Sequence, residues 1–209
     1  MWVIFDLNGT LVDPSVLVSP GSIGVEALDE ANMMAMVTVL AGRSSAFKPL
    51  LEAALRRGLE RAGLDAGLAE GALEKLPHMP AYPDVPDALA ALRAGGLSLC
   101  VLTQSAVDAA EAVLSNAGLR SAFDLVLSAP ESGAFKPEDL AYRWALERCG
   151  VSDAWFVAGH WWDIAGASYA GLQTAWISRT DLAYPSAMPA PHVSGPDLAA
   201  VTTAILNTT

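Results

Sequence analysis

The sequence predicts an α/β protein, a doubly wound parallel sheet with a helical cap inserted after its first strand. Three observations carry this. The chain opens on Trp2-Val3-Ile4-Phe5, four apolar residues with no polar alternation, as in a central parallel strand covered on both faces. Short apolar runs recur at 97–102, 123–128, 155–158 and 175–178, separated by helix-like segments, as βαβ units require. Between the first run and the second, from about Val25 to Leu76, the composition reads as helix alone. The expected division is a core of residues 1–13 and 81–209 and a cap of residues 14–80.

The first strand stops at Asp6, and Gly9 lets the backbone fold sharply three residues later. A carboxylate at the C-terminal edge of a buried parallel strand stands where open α/β sheets bind ligands, although an Asp there also serves as a turn cap. Residues 14–24, rich in Pro, Ser and Gly, read as a loop leaving the sheet. In the helical stretch, breaks are expected at Gly58, Gly63 and Gly67. Met33, Met34, Met36, Val37, Val39 and Leu40 form an apolar patch. It suits a cap core, the lining of an apolar pocket, or a subunit interface of a homodimer. Arg56, Arg57 and Arg61 fall on a solvated helix face.

Residues 81–87 mark re-entry to the core, with Asp84 or Asp87 available to cap a helix that runs through Leu92 and ends at Gly95-Gly96. The second strand stops at Thr103-Gln104-Ser105. The hydroxyl and the free amides of the next helix, 107–117, would form an anion-binding corner there. After the third strand comes Gly133-Ala134-Phe135-Lys136-Pro137, with Pro137 suited to a first helical turn. The fourth strand, Trp155 to Ala158, leads into Gly159-His160-Trp161-Trp162-Asp163. A last strand at 175–178, a loop at 179–191 and a helix at 197–206 complete the chain.

Of 209 residues, 53% are hydrophobic and 17% charged, enough apolar material for a sizeable core. A net charge of −11 argues against nucleic acid or an anionic membrane surface as partners. An anionic small substrate would need local cations within this acidic chain. Cys100 and Cys149 lack metal-ligand spacing and read as buried thiols of a reducing compartment. No basic leader and no long apolar segment precede or interrupt the strands, so the expected location is cytoplasmic.

Asp6-Leu7-Asn8-Gly9-Thr10-Leu11 resembles the first motif of the haloacid dehalogenase superfamily, in which the first Asp is the nucleophile. Thr103 resembles the second motif, Lys136-Pro137 the third and Gly159-His160-Trp161-Trp162-Asp163 the fourth. The run from Trp162 through Ala167, and Ala170 to Ile177, is most similar to the 2-haloacid dehalogenases. The resemblance implies that family's Rossmann-like core and assigns catalysis to Asp6, Lys136, Asp163, Thr103 and a cap arginine, for which Arg43 lies at about the right distance. It places Leu7, Asn8, Thr10, Gln104, Tyr142 and His160 around the substrate. Gln104 stands where those enzymes have Asn, and would donate to the substrate carboxylate. Tyr142 and His160 equally suit purely structural roles, and the resemblance implies Asp163 as the orienting or base residue for the hydrolytic water, with His160 as the alternative.

The departures from the superfamily pattern carry chemistry. Its phosphatases have a second Asp two residues after the nucleophile, similar to a general acid for the leaving alcohol, and this chain has Asn8. An amide has no titratable proton for that work. A halide leaves as a stable anion and needs none. Phosphatases also place an acidic residue after the Gly of the fourth motif, completing a Mg²⁺ site, where this chain has His160. The resemblance therefore implies hydrolytic dehalogenation of a small 2-haloacid, with no metal or other cofactor. Two alternatives stand beside it: a Mg²⁺-dependent phosphatase whose Asn8 is altered or engineered, and a non-catalytic member of the fold.

Overall fold

The computed structural model describes residues 1–43, 45–179 and 181–208. A six-stranded, wholly parallel sheet forms the centre, in the order β3-β2-β1-β4-β5-β6. The strands are β1 (Trp2–Phe5), β2 (Ser98–Thr103), β3 (Leu125–Ser128), β4 (Trp155–Ala158), β5 (Gln173–Ile177) and β6 (Val193–Gly195). Strand β1 lies between β2 and β4, and its side chains divide between the faces. Val3 and Phe5 enter one buried cluster with Leu99, Val101 and Val157. Ile4 enters the other with Cys100, Leu102 and Phe156. Burial on both faces explains why these strands show no polar alternation.

Helices α4 (Val85–Ala94), α5 (Val107–Asn116) and α8 (Leu198–Asn207) bury Leu89, Leu114 and Ile205 in the first cluster. Helices α6 (Asp139–Cys149) and α7 (Trp161–Tyr169) bury Tyr142 and Ile164 in the second. The cap helices α1 (Ser22–Leu40), α2 (Phe47–Arg61) and α3 (Leu68–Lys75) stand between β1 and α4. Their Leu28, Leu51 and Leu55 extend the first cluster, so cap and core share one apolar interior. Val12 pairs with Ala81 where the chain leaves and re-enters the core.

Several expectations are corrected. Helix α1 begins at Ser22, inside the stretch read as loop, and Pro14–Val16 forms a short 3₁₀ turn. Gly58 does not break the cap but lies within α2, where an added Cβ would meet Ile23 of α1 at 3.3 Å. The missing side chain lets the two helices approach closely. Pro137 precedes α6 rather than opening its first turn. Asp84 makes no side-chain cap of α4; its carboxylate takes Arg179 at 3.1 and 3.0 Å and the Leu198 amide at 2.6 Å. Strand β6 lies in a segment for which no strand was expected. The α1 patch divides: Met34 and Val39 pack against the core, while Met33, Val37 and Leu40 are 63%, 60% and 87% exposed. Among the described residues, no helix is long and apolar enough to cross a membrane.

Candidate active site

In this strand order the connections diverge between β1 and β4, the switch point beside which open sheets hold their ligands. Asp6 follows β1, Thr103 ends β2 and His160 follows β4, so sheet geometry alone sets these three side chains at one edge. The Asp6 amide is fixed by a bond to the Val157 carbonyl at 3.0 Å. The turn beyond it closes on the Leu7 carbonyl, which accepts from Thr10, Leu11 and Val12. Buried Leu7 therefore serves the turn rather than the cavity. Gly9 has φ +77°, and a Cβ there would stand 2.8 Å from His160 Cε1. A left-handed backbone and the close imidazole together require glycine.

Lys136 is fully buried and bridges two carboxylates, donating to Asp6 Oδ1 at 2.8 Å and Asp163 Oδ2 at 2.6 Å. Tyr142 donates to Asp163 Oδ1 at 2.6 Å, which occupies that residue's second oxygen. Thr10 donates to Asp6 Oδ2 at 2.7 Å and accepts from the Gly159 amide at 2.9 Å, tying β1 to β4. The approach of α7 to α6 needs Gly166, where a Cβ would lie 2.6 Å from the Tyr142 hydroxyl.

Burial on its own would raise the Asp6 carboxyl, but Lys136 and then His160 outweigh it and hold the group ionised, below the usual carboxylate range. Burial would depress Lys136, yet Asp163 and Asp6 keep it charged and raise it. Asp163 is pushed up by burial, Lys136 opposing and the Asp6 charge reinforcing the rise. Burial and the Asp163 charge drive the Tyr142 phenol well up, so it stays a donor. Burial opposes a charged His160, but Asp6, Asp29 and Asp163 prevail and raise it.

A small cavity opens over Asp6, lined by Asn8, Leu28, Asn32, Phe47, Thr103, Gln104, His160 and Trp162. Its free space for water centres is about 10 Å³, room for a single water. The side-chain oxygens of Asn8 and Asn32 and Nδ1 of His160 are buried without a partner. Beyond Asn8 and Phe47 lies a larger, mainly apolar cavity of 300 Å³, reached by Leu51, Met79, Ala109 and Val113.

Among the expected substrate contacts, Leu7, Thr10 and Tyr142 are fully buried and do not line the cavity. Gln104 spends its amide on the backbone of Lys136, donating to the carbonyl at 2.8 Å and accepting from the N–H at 3.0 Å. It positions the lysine, and its side chain also lines the cavity over Asp6. Arg43 is exposed and lines a surface depression with Gly133 and Glu138, not the cavity over Asp6. Its neighbour Ser44 lies outside the described residues. Residues that the sequence reading passed over are Asp29 and Asn32 of α1, Ser105, and Trp162 as a wall. Asp29 and Asn32 are one helical turn apart on α1 and share a face, the signal that could have drawn attention to them.

Among the described residues no group of three His, Cys, Asp or Glu side chains is arranged to hold a metal ion. Between Asp6 and Asp163, where two carboxylates could share a cation, the Lys136 ammonium already stands.

The model of the haloacid dehalogenase-like hydrolases matches residues 1–171. The (S)-2-haloacid dehalogenase of Pseudomonas sp. (strain YL) is 32% identical over 191 residues, covering 85% of this chain and 82% of the relative. Haloacetate dehalogenase H-2 of Moraxella sp. (strain B) is 29% identical over 212 residues, covering 95% of each. The solved L-2-haloacid dehalogenase of Xanthobacter autotrophicus shares the fold at a TM-score of 0.88 and 24% identity, covering 100% of this chain and 99% of that one.

Proposed function

The chain belongs to the haloacid dehalogenase-like hydrolases, and from that premise we propose that it hydrolyses the carbon–halogen bond of small 2-haloacids through an ester on Asp6, without a metal ion. The relatives named above as dehalogenases of (S)-2-haloacids and of haloacetate supply the substrate class. The observation that carries the chemistry is the pairing of an ionised, lysine-bridged Asp6 with an amide, Asn8, two residues on. Such a site offers a nucleophile with no proton donor at that second position, which suits a leaving group that departs as an anion.

In the first step an Asp6 oxygen attacks C2, the carbon–halogen bond breaks, and the halide leaves with the bonding pair. Lys136 keeps Asp6 ionised and oriented before attack and faces the ester oxygen afterwards. Thr103 and the amides opening α5 receive the substrate carboxylate. Water then attacks the Asp6 carbonyl carbon and frees the hydroxy acid. Asp163 orients Lys136 through its bond at 2.6 Å. Arg43 has no part in this scheme, being outside the cavity.

The test is halide release from 2-chloropropionate and bromoacetate, with and without EDTA. Release insensitive to EDTA and abolished in Asp6→Asn is expected. Cleavage of phosphate esters dependent on Mg²⁺, with no halide from any haloacid, would overturn the reading.

A further inference from the structure

We propose that His160 activates the hydrolytic water of the second step, with Asp29 of the cap as the residue that positions its imidazole. The proposal rests on the ester mechanism above and adds to it the destination of each proton. The attacking water must lie against the Asp6 carboxyl, in a cavity with room for about one. Among the described residues lining that cavity, His160 is the titratable side chain other than Asp6. Its Nδ1 is 3.4 Å from Asp6 Oδ2, beyond a well-aligned hydrogen bond, and buried without a partner. Its Nε2 is 3.7 Å from Asp29 Oδ1 on α1. An Asp29 carboxylate there favours the tautomer with the proton on Nε2, which leaves Nδ1 as a base facing the ester. Gly9 on one side and the Trp162 ring, 5.4 Å away between centroids, fix the imidazole plane.

Asp163 is the competing base, and geometry disfavours it. Both its oxygens are engaged, by Lys136 and Tyr142, and it does not line the cavity.

Water oxygen bonds to Asp6 Cγ and one water proton passes to His160 Nδ1. The tetrahedral adduct collapses, the bond from Cγ to the alkyl oxygen breaks, and the departing alkoxide takes the proton from His160. Asp6 is left as a carboxylic acid and ionises. That proton, the net acid of the reaction, leaves through His160 and half-exposed Asp29 to solvent. The groups facing His160 are Asp6 from β1, Asp29 from α1, and Asp163 with its bridging Lys136 from the other face of the site. Esterification removes the Asp6 charge, so the imidazole gives up its proton more readily at the stage that needs a base.

The experiment follows halide release and intact mass after mixing with 2-chloropropionate. In His160→Gln, about one halide per chain should appear in a burst, turnover should fall about 10²-fold or more, and an ester adduct on Asp6 should accumulate. Asp29→Asn, a change at the exposed rim, should fold normally and slow breakdown of the ester. Removing that negative charge lowers the imidazole pKa, so the acid limb of its pH profile should move to lower pH. Undiminished turnover in His160→Gln, an unshifted acid limb in Asp29→Asn, or adduct accumulating in Asp163→Asn and not in His160→Gln would overturn the assignment. Absence of halide from the unaltered chain would instead overturn the ester mechanism, and this assignment with it.

Discussion

Lys136 carries more of the site than any other residue, because it is the cation between two buried carboxylates. Lys136→Met would leave Asp6 and Asp163 uncompensated, and breaking a buried pair in this way costs about 3–5 kcal/mol. Urea unfolding should register that loss, and halide release should vanish. Arg at this position would not rescue it, because the planar fork does not fit a point bridge made to fill a sealed space. Gly9→Ala should cost about 1–3 kcal/mol through its left-handed backbone, with an added loss of turnover as Cβ displaces His160. A variant of normal stability and activity would contradict that account. At this scale, the strand-end positions of Asp6, Thr103 and His160 were legible, since an apolar run ends where its polar residue begins. The partners were not. Whether Gln104 faces a ligand or a backbone amide, and whether Arg43 points inward, depends on loops that carry no period. Asp29 was hidden because an acidic residue on a cap helix ordinarily marks a solvated face.

Arg179, just past β5, donates to the Thr10 carbonyl at 2.8 Å, pairs with Asp84 at the start of α4, and lies 4.0 Å over the Tyr82 ring. One guanidinium thus ties the loop after β1 to β5, α4 and α8. Burial would raise Asp84, but its bonds to Arg179 and the Leu198 amide lower it below the ordinary carboxylate value. A carboxyl lowered in the folded chain stabilises fully above its unfolded pKa, and that contribution disappears as pH falls through the folded one. Unfolding free energy should therefore decline on acidification, and Asp84→Asn should be less stable at neutral pH with a shallower decline. Identical acid profiles for the two chains would contradict this. Helix and strand order was readable because burial on both sheet faces writes continuous apolar runs. Gly58 was misread as a break because glycine marks both helix ends and close helix contacts, and only the neighbour, Ile23, distinguishes them. Strand β6 has three residues at a sheet edge, too short to carry a pattern.

Across the whole molecule, cap and core share an apolar interior, and the cavity over Asp6 is closed to about one water. The His160–Asp29 contact joins cap and core beside that cavity. On the proposed reaction, a longer alkyl group on C2 would extend into the 300 Å³ cavity beyond Asn8 and Phe47. Filling it from the exposed side with Ala109→Trp should depress turnover of long-chain 2-haloacids and spare chloroacetate. Equal effects on both would show that the space serves another purpose. The central claim is that Asp6 itself becomes esterified and is released by water attack on its own carbonyl carbon. A single turnover in heavy-oxygen water, followed by mass analysis of the peptide containing Asp6 and of the hydroxy acid, tests this directly. The label should enter the Asp6 carboxylate and be absent from the first-turnover product. Label in the product with none in Asp6 would mean that water attacks the substrate itself and that Asp6 is no nucleophile.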